Sequence, residues 1–199
     1  MRFLLFCIAG FLLGSCSNKK DIYDTPTFSK NNILQAVVEI PAGTNKKIEY
    51  NTRSMLFEID KKNGEDRIID FLPYPGNYGF IPSTYSDPDK GGDADALDVL
   101  IIAENIPTGT IVEILPIGIL KLIDNQELDY KIIAIPLRKE LQVMDPKTFN
   151  DFNKRYPKAK EMIRMWFSNY DQKDSLYVEG WGNEKEALAE INKSLYNKN

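Results

Sequence analysis

The sequence has 199 residues, with 29 acidic and 25 basic side chains and a net charge of -4, and it contains no histidine. Its length and its content of 43% hydrophobic and 27% charged residues suit one folded domain and exclude a disordered or fibrous protein. Without histidine, an imidazole relay and a histidine-ligated zinc site are excluded, so acid–base and metal chemistry must use carboxylates, lysine, arginine and tyrosine. The mild acidity argues against a protein that coats nucleic acid.

The chain opens with an apolar run over 3–13 behind the single basic residue Arg2. This run is too short to span a bilayer and is typical of the core of a signal peptide. The next residues, Leu13-Gly14-Ser15-Cys16, resemble the lipobox of bacterial lipoproteins, in which the cysteine receives the lipid. A plain secretory leader and a fortuitous apolar terminus are the alternatives. The pattern predicts a signal peptide over 1–15, a polar tether over 16–30 and a folded domain over 31–199.

The leader also predicts where the protein resides. If it is processed at the lipobox, the mature chain is exported and anchored to a bacterial membrane through the lipid on Cys16. If it is not processed, the chain stays in the cytoplasm. Processing would discard Cys7 and acylate Cys16, which leaves no thiol for disulfide or redox chemistry.

The body of the chain has strand patterns first and helical patterns last. Apolar segments rich in valine and isoleucine and bounded by turn residues predict strands. Helical periodicity appears behind Pro157 and again behind Asn183, a good capping residue. We predict an α+β domain in which about five or six antiparallel strands close on themselves and helices pack outside. The predicted strands span 33–40, 55–59, 99–102, 111–122 and 131–137, and the predicted helices span 159–170 and 184–195.

An acidic segment over 87–98 precedes one of the predicted strands and carries five aspartates in twelve residues. Carboxylates this close raise one another's pKa unless cations lie between them, so the segment predicts a metal site. A solvated acidic loop is the bland alternative. A calcium loop of EF-hand type fits poorly, because Gly91 stands at its fifth position and neither flank is helical.

A second acidic pair lies in a predicted hairpin between the strands 117–123 and 130–135. A four-residue loop separates Asp124 from Asp129, which places the two carboxylates roughly opposite each other. Asp129 lies two residues before Lys131, so the two side chains project on the same side of the chain. An ordinary polar hairpin tip is the alternative. Cationic and aromatic residues elsewhere in the sequence offer phosphate contacts: Lys47, Arg67, Tyr74, Tyr78 and Tyr170.

Five motifs, in order, resemble the family I soluble inorganic pyrophosphatases. They span nearly the whole predicted domain, from about 33 to 195, and each is modest alone but specific in combination. They are Val38-Glu39-Ile40-Pro41, the run from Tyr74 to Pro82, the Gly-Asp-x-Asp-x-x-Asp-x-Leu run at 92–100, the spacing Asp124…Asp129-x-Lys131, and Val178-Glu179-Gly180-Trp181.

The resemblance implies hydrolysis of pyrophosphate to two orthophosphates with several Mg²⁺ ions, on a five-stranded OB-like barrel with flanking helices. By motif position, Asp95 would accept the proton of the attacking water. By analogy with bacterial relatives we also expect a homo-oligomer. The implied metal ligands are Asp93, Asp98, Asp124, Asp129 and Glu49, with Glu39 assisting. The implied phosphate contacts are Lys47, Arg67, Tyr78, Lys131 and Tyr170.

Physical chemistry agrees with these implied roles. Divalent ions that share a water molecule lower its pKa to roughly 7, so hydroxide is accessible without histidine. Direct attack on phosphorus needs in-line placement and charge neutralisation more than a protein nucleophile.

Three positions depart from the family pattern. Ala96 stands where the signature usually has proline. Asp171 follows the late tyrosine where the family usually has lysine, so we expect Lys173 to replace that phosphate contact, and an unchanged Michaelis constant in Lys173→Ala would contradict this. Arg67 matches only with a one-residue gap, which weakens its assignment.

Two other functions compete with the enzyme. An OB-like barrel that binds nucleic acid normally needs a basic groove with stacking aromatics, whereas this cleft is predicted to be acidic, so we expect no nucleic-acid partner. A catalytically silent relative tethered to a membrane is the second alternative. Retention of every implied metal carboxylate argues against it.

Overall fold

The computed structural model describes residues 21–171 and 176–196. The predicted signal peptide, the lipidation residue Cys16 and the predicted phosphate contact Lys173 lie outside these ranges. In the part of the chain that is described, no helix is long and apolar enough to cross a bilayer.

The structure is a mixed α+β fold with a seven-stranded sheet and two small hairpins. Its strands are β1 Gln35–Ile40, β2 Ile48–Asn51, β3 Leu56–Ile59, β4 Lys61–Lys62, β5 Glu65–Asp66, β6 Asn77–Phe80, β7 Asp98–Ile101, β8 Ile111–Asp124, β9 Glu127–Leu128, β10 Lys131–Pro136 and β11 Leu176–Asn183. Its helices are α1 Phe149–Arg155, α2 Pro157–Phe167 and α3 Glu184–Lys193, with short 3₁₀ turns at Ile22–Asp24, Pro88–Lys90 and Lys139–Leu141.

The strands of the main sheet are hydrogen-bonded in the order β1, β6, β7, β10, β8 and β11, and β8 pairs with β1 as well. The prediction of an antiparallel sheet is wrong for one pair, because β10 and β7 run parallel. The chain reverses once between β7 and β8 and again at the β8–β10 hairpin. Two reversals bring β10 back beside β7 in the same direction.

The central strands bury side chains on both faces, which explains their continuous apolar runs. Along β10, Ile132 and Ala134 join one cluster while Ile133 and Ile135 join the other. The first cluster is covered by Ala187 and Ile191 of α3, and the second by aromatic residues of α1 and α2. The two hydrophobic clusters, each covered by helices, therefore enclose β7, β8 and β10.

Element boundaries differ from the sequence predictions where patterns are weak. Helix α2 ends at Phe167, so Tyr170 lies past its end rather than inside it. The strand β6 was not predicted, because Asn77-Tyr78-Gly79-Phe80 contains no β-branched residue. The strand β11 was not predicted either, since two glycines and an irregular register break its alternation. The helix α1 was also missed.

Residues 21–30, which fall inside the predicted tether, pack on the sheet. The Thr27 hydroxyl donates to the carbonyl of Pro82 at 2.8 Å, and Phe28 forms a β-bridge with Leu34. Ile22 and Tyr23 contact a small buried cluster around Phe80. Apolar residues scattered through a polar segment carry this packing, which periodicity does not reveal. The division of the chain into three segments remains a prediction.

Gly79 in β6 tests the strand packing. A Cβ atom there would lie 1.9 Å from the carbonyl oxygen of Val37 in β1, a backbone atom that moves only with its strand. We expect Gly79→Ala to lower the free energy of unfolding by about 3 kcal/mol or more, measured by urea titration. Gly64→Ala is the control, because it meets no neighbour and only its φ of 84° is strained, which costs about 1 kcal/mol. Equal losses would contradict the register.

Candidate active site

A cleft of about 310 Å³ opens at one end of the sheet. Its lining contains eight acidic and three basic side chains, a large surplus of negative charge. Every site residue predicted within the described ranges lies on this lining: Asp95, Lys47, Arg67, Tyr78, Lys131, Tyr170, Asp93, Asp98, Asp124, Asp129 and Glu49, together with Glu39.

Strand pairing sets the centre of the cleft. The parallel pairing of β7 and β10 places Asp98 directly across from Lys131. The Lys131 ammonium, almost fully buried, donates to Asp98 Oδ2 at 2.5 Å and also to Asp129 Oδ1. The Tyr78 hydroxyl donates to the same Asp98 oxygen at 2.5 Å. Lys131 therefore bridges Asp98 and Asp129, and Tyr78 gives Asp98 a second donor.

Burial and like charge perturb this centre. Burial raises the pKa of Asp98 to about 6, although the Lys131 ammonium opposes the shift and the charge of Asp129 adds to it. Burial also raises the pKa of Asp93 above its ordinary value. For Lys131, burial disfavours the ammonium, but the charges of Asp129 and Asp98 outweigh it and raise the pKa. One buried ammonium thus compensates only part of the negative charge around it.

Asp93 and Asp95 lie in a turn. Ala94 has φ 66°, and the Asp93 Oδ1 atom accepts a hydrogen bond from the Asp95 amide at 3.1 Å. Ala96 is buried, and its amide donates to Asp95 Oδ1 at 2.8 Å. Proline, expected at this position from the family pattern, has no amide hydrogen and could not donate that bond.

The other aspartates of the acidic segment do not face the cleft. Asp87 caps a 3₁₀ turn, accepting from the Asp89 amide, and its carboxylate pairs with Lys90 at 2.9 Å. Neither Asp87 nor Asp89 is part of the cleft lining. The solvated-loop interpretation therefore holds for this half of the segment, and an EF-hand loop, which would use both halves, does not.

The hairpin after β8 is tighter than predicted. Asn125 and Gln126, with φ 47° and 76°, form a two-residue turn, so Asp124 pairs with Glu127. Asp129 instead donates its amide to the carbonyl of Leu122. The prediction that Asp124 and Asp129 lie opposite each other in the hairpin is wrong, although both line the cleft.

Cationic and aromatic residues also line the cleft. The Lys47 ammonium is 2.7 Å from Glu49. The Arg67 guanidinium contacts Asp60 at 3.3 Å and Asp171 at 3.1 Å. Asp171, which stands where the family usually has lysine, therefore binds Arg67, a cationic residue of the cleft.

Part of the aromatic lining of the cleft lies on and just after α2. The Tyr170 ring stacks on Trp166 at 5.0 Å, and Trp166 contacts Tyr74 at 4.5 Å. Burial raises the pKa of Tyr170 to about 12, so its hydroxyl remains a proton donor at neutral pH.

Sequence reasoning missed Tyr23 and underused Glu39. The Tyr23 hydroxyl donates to Asp95 Oδ1 at 3.1 Å from a segment that was predicted to be a tether. Glu39 is buried and accepts from the Tyr50 amide at 2.8 Å. Burial raises the pKa of Glu39 to about 8, with Asp98, Asp95 and Glu49 adding to the shift. No pattern around Tyr23 marked it, whereas the buried position of Glu39 in β1 was readable from its apolar neighbours.

The donor set fits a hard divalent cation. Its ligands are carboxylate oxygens, the donors that Mg²⁺ prefers. Among residues 21–171 and 176–196, no three acidic side chains already surround a common point. The Lys131 ammonium lies between Asp98 and Asp129 and carries the positive charge there. The carboxylate ligands therefore suit Mg²⁺ by their chemistry, and Lys131 stabilises the present arrangement of Asp98 and Asp129.

Comparison with known proteins decides the family. The sequence profile described as inorganic pyrophosphatase matches residues 36–199. The inorganic pyrophosphatase of Neisseria meningitidis serogroup B is 33% identical over 172 residues, which cover 86% of this chain and 92% of that protein. The chain belongs to the inorganic pyrophosphatase family.

Solved structures agree with this assignment. The inorganic pyrophosphatase from Thermus thermophilus has a TM-score of 0.74 at 26% identity, covering 88% of this chain and 97% of that one. The inorganic pyrophosphatase from Neisseria gonorrhoeae has a TM-score of 0.68 at 33% identity, covering 82% and 89%. The enzyme hydrolyses inorganic pyrophosphate to two orthophosphates, and the family resemblance read from the motifs is confirmed.

Glu39 makes the stability of the metal-free enzyme depend on pH. Its pKa rises from 4.5 to about 8 on folding, so between these values the folded state binds more protons than the unfolded state. The free energy of unfolding therefore falls as pH rises through this window. We expect Glu39→Gln to be more stable than the wild type at pH 8 by on the order of 2 kcal/mol, with a smaller difference at pH 5.

Urea titrations in EDTA at the two pH values measure this difference. Glu140→Gln serves as the control, because 77% of the Glu140 side chain is exposed and its removal leaves no buried group. A Glu39→Gln difference that is the same at both pH values would contradict the account.

Proposed function

We propose that the enzyme cleaves pyrophosphate by direct attack of water, with Mg²⁺ ions held by the acidic wall of the cleft. The surplus of negative charge supports this most strongly, since a highly anionic substrate cannot enter a cleft with eight acidic and three basic side chains unless cations accompany it. The residues that would hold Mg²⁺ are Asp93, Asp98, Asp124, Asp129 and Glu49. Bound there, Mg²⁺ would neutralise phosphate charge and acidify a water molecule.

Asp95 is the proton acceptor in this proposal. It is exposed at the cleft, where water reaches it, and it takes no part in the buried contacts of Asp98 and Lys131. As the water oxygen bonds to phosphorus, its proton passes to Asp95. The bridging phosphorus–oxygen bond breaks, and its electron pair leaves with the departing orthophosphate.

Cationic and tyrosine side chains of the cleft hold the phosphate oxygens in this proposal. The cationic contacts are Lys47, Arg67 and Lys131, which neutralise charge on the leaving phosphate. The tyrosine contacts are Tyr78 and Tyr170, which are protonated donors because burial raises the pKa of both hydroxyls. In this proposal, the third N–H of the Lys131 ammonium donates to the substrate while the other two donate to Asp98 and Asp129, and the single hydrogen of the Tyr78 hydroxyl turns from Asp98 to the substrate.

Other features of the proposal concern architecture and location. The circuit of strand pairings from β1 through β6, β7, β10 and β8 back to β1 supports a closed five-stranded OB-like barrel. Exposed Met162 and Met165 on α2 support a homo-oligomer. The apolar run before Cys16 supports export and a lipid anchor, with a cytoplasmic location as the alternative.

Phosphate release from pyrophosphate measures the proposed chemistry directly. We expect rapid release in Mg²⁺, less than about one hundredth of it after treatment with EDTA, and recovery when Mg²⁺ is restored. Ca²⁺ should restore little, because it is larger and less polarising. Full activity in EDTA would overturn the role of the acidic wall while leaving the family assignment intact.

Two asparagine variants separate the aspartate roles. Asp95→Asn should lower kcat about 10²- to 10⁴-fold with nearly unchanged Mg²⁺ affinity, because it removes only the proton acceptor. Asp98→Asn should also weaken Mg²⁺ affinity about tenfold or more, because it removes a ligand. Calorimetric Mg²⁺ titration beside steady-state kinetics measures both quantities. Similar Mg²⁺ affinities in the two variants would refute this division of roles.

A further inference from the structure

Tyr23 reaches the cleft from outside the region that defines the family. The family profile begins at residue 36, and Tyr23 precedes the first strand. Its side chain nevertheless lines the cleft, and its hydroxyl donates to Asp95 Oδ1 at 3.1 Å. The segment before β1 therefore contributes a polar contact to the group that receives the proton.

The position of the Tyr23 ring is fixed by the folded domain. The ring stacks on Phe80 with centroids 4.3 Å apart and an interplanar angle of 10°, and it contacts Tyr50 at 5.4 Å. The Tyr23 carbonyl accepts from the Ser83 amide at 2.9 Å, and its own amide donates to the Asp21 carboxylate at 3.0 Å. A hydroxyl held at both ring and backbone is preorganised to orient its partner.

Asp95 receives two hydrogen bonds on one oxygen. Besides the Tyr23 hydroxyl, the Ala96 amide donates to Oδ1 at 2.8 Å. Across the described residues, no side chain or amide donates to Asp95 Oδ2. Two donors on Oδ1 fix the rotation of the carboxylate and leave Oδ2 to accept from water.

We propose that Tyr23 is a positioning residue for hydrolysis, which holds Asp95 so that Oδ2 faces the attacking water. The proposal rests on the role of Asp95 as proton acceptor. The Ala96 amide, one residue after Asp95, donates to the same oxygen. Loss of the Tyr23 hydroxyl therefore loosens the Asp95 carboxylate without releasing it. The segment before β1 thereby becomes part of the catalytic apparatus.

Two substitutions separate the hydroxyl from the ring. Tyr23→Phe keeps the stack on Phe80 and removes only the hydrogen bond to Asp95, whereas Tyr23→Leu removes both. We expect Tyr23→Phe to lower kcat about fivefold, with KM and Mg²⁺ affinity changed less than about twofold and the thermal midpoint almost unchanged. Tyr23→Leu should lose at least as much turnover and also lose stability. Wild-type kcat in Tyr23→Phe would overturn the proposal, because the ring alone would then suffice.

Tyr156→Phe is the matched control in the same full-length chain. The Tyr156 hydroxyl donates to an aspartate, Asp145 Oδ1, at 3.3 Å, and it lies away from the cleft. We expect kcat and KM of this variant to stay within about twofold of the wild type. A fall in kcat equal to that of Tyr23→Phe would mean that any lost tyrosine–aspartate bond slows the enzyme, and would overturn the proposal.

A double-mutant cycle with Asp95→Ala separates the two levels of the proposal. If Tyr23 acts through Asp95, Tyr23→Phe causes no further loss of kcat in the Asp95→Ala background. A further fivefold loss there would overturn the proposal and leave the role of Asp95 intact. Undiminished turnover in Asp95→Ala itself would overturn the role of Asp95, and the positioning role of Tyr23 with it.

Discussion

The surplus of negative charge in the cleft constrains everything else in this enzyme. Eight acidic side chains face three basic ones in the space where an anionic diphosphate must bind. Burial and mutual repulsion raise the pKa values of Asp93 and Asp98, so these carboxylates favour any arrangement that brings positive charge among them. Lys131 supplies one such charge in the present arrangement. The same deficit of positive charge makes the cleft attract cations and a substrate that carries them.

The fold concentrates this charge through a few backbone devices. The parallel pairing of β7 and β10 sets Asp98 against Lys131, and the turn at Ala94 directs Asp93 and Asp95 into the same space. Two hydrophobic clusters on opposite faces of the sheet hold these strands rigidly. A buried scaffold on both sides makes it possible to keep like charges close together, because the strands cannot splay to relieve the repulsion.

The sequence predicted the chemistry better than the geometry. Motif spacing was enough to identify the acidic and cationic residues of the cleft, since each motif is local in the sequence. Register was not predictable: the positive φ angles of Asn125 and Gln126 shift Asp124 away from Asp129, and the parallel partner of β7 is a long-range choice. The place of Tyr23 in the cleft could not be predicted for a related reason, because its contacts with Phe80 and Asp95 join residues far apart in the chain.

Binding of a non-hydrolysable diphosphonate to the metal-free enzyme measures the central claim most directly. Calorimetric titration of methylenediphosphonate in EDTA and in Mg²⁺ compares the two affinities without any turnover. If the acidic wall must be neutralised before a diphosphate enters, binding is about 100-fold or more tighter with Mg²⁺, a difference of about 2.7 kcal/mol. Equal affinity in the two solutions would show that the lysines and arginine alone accommodate the substrate, and would contradict the account.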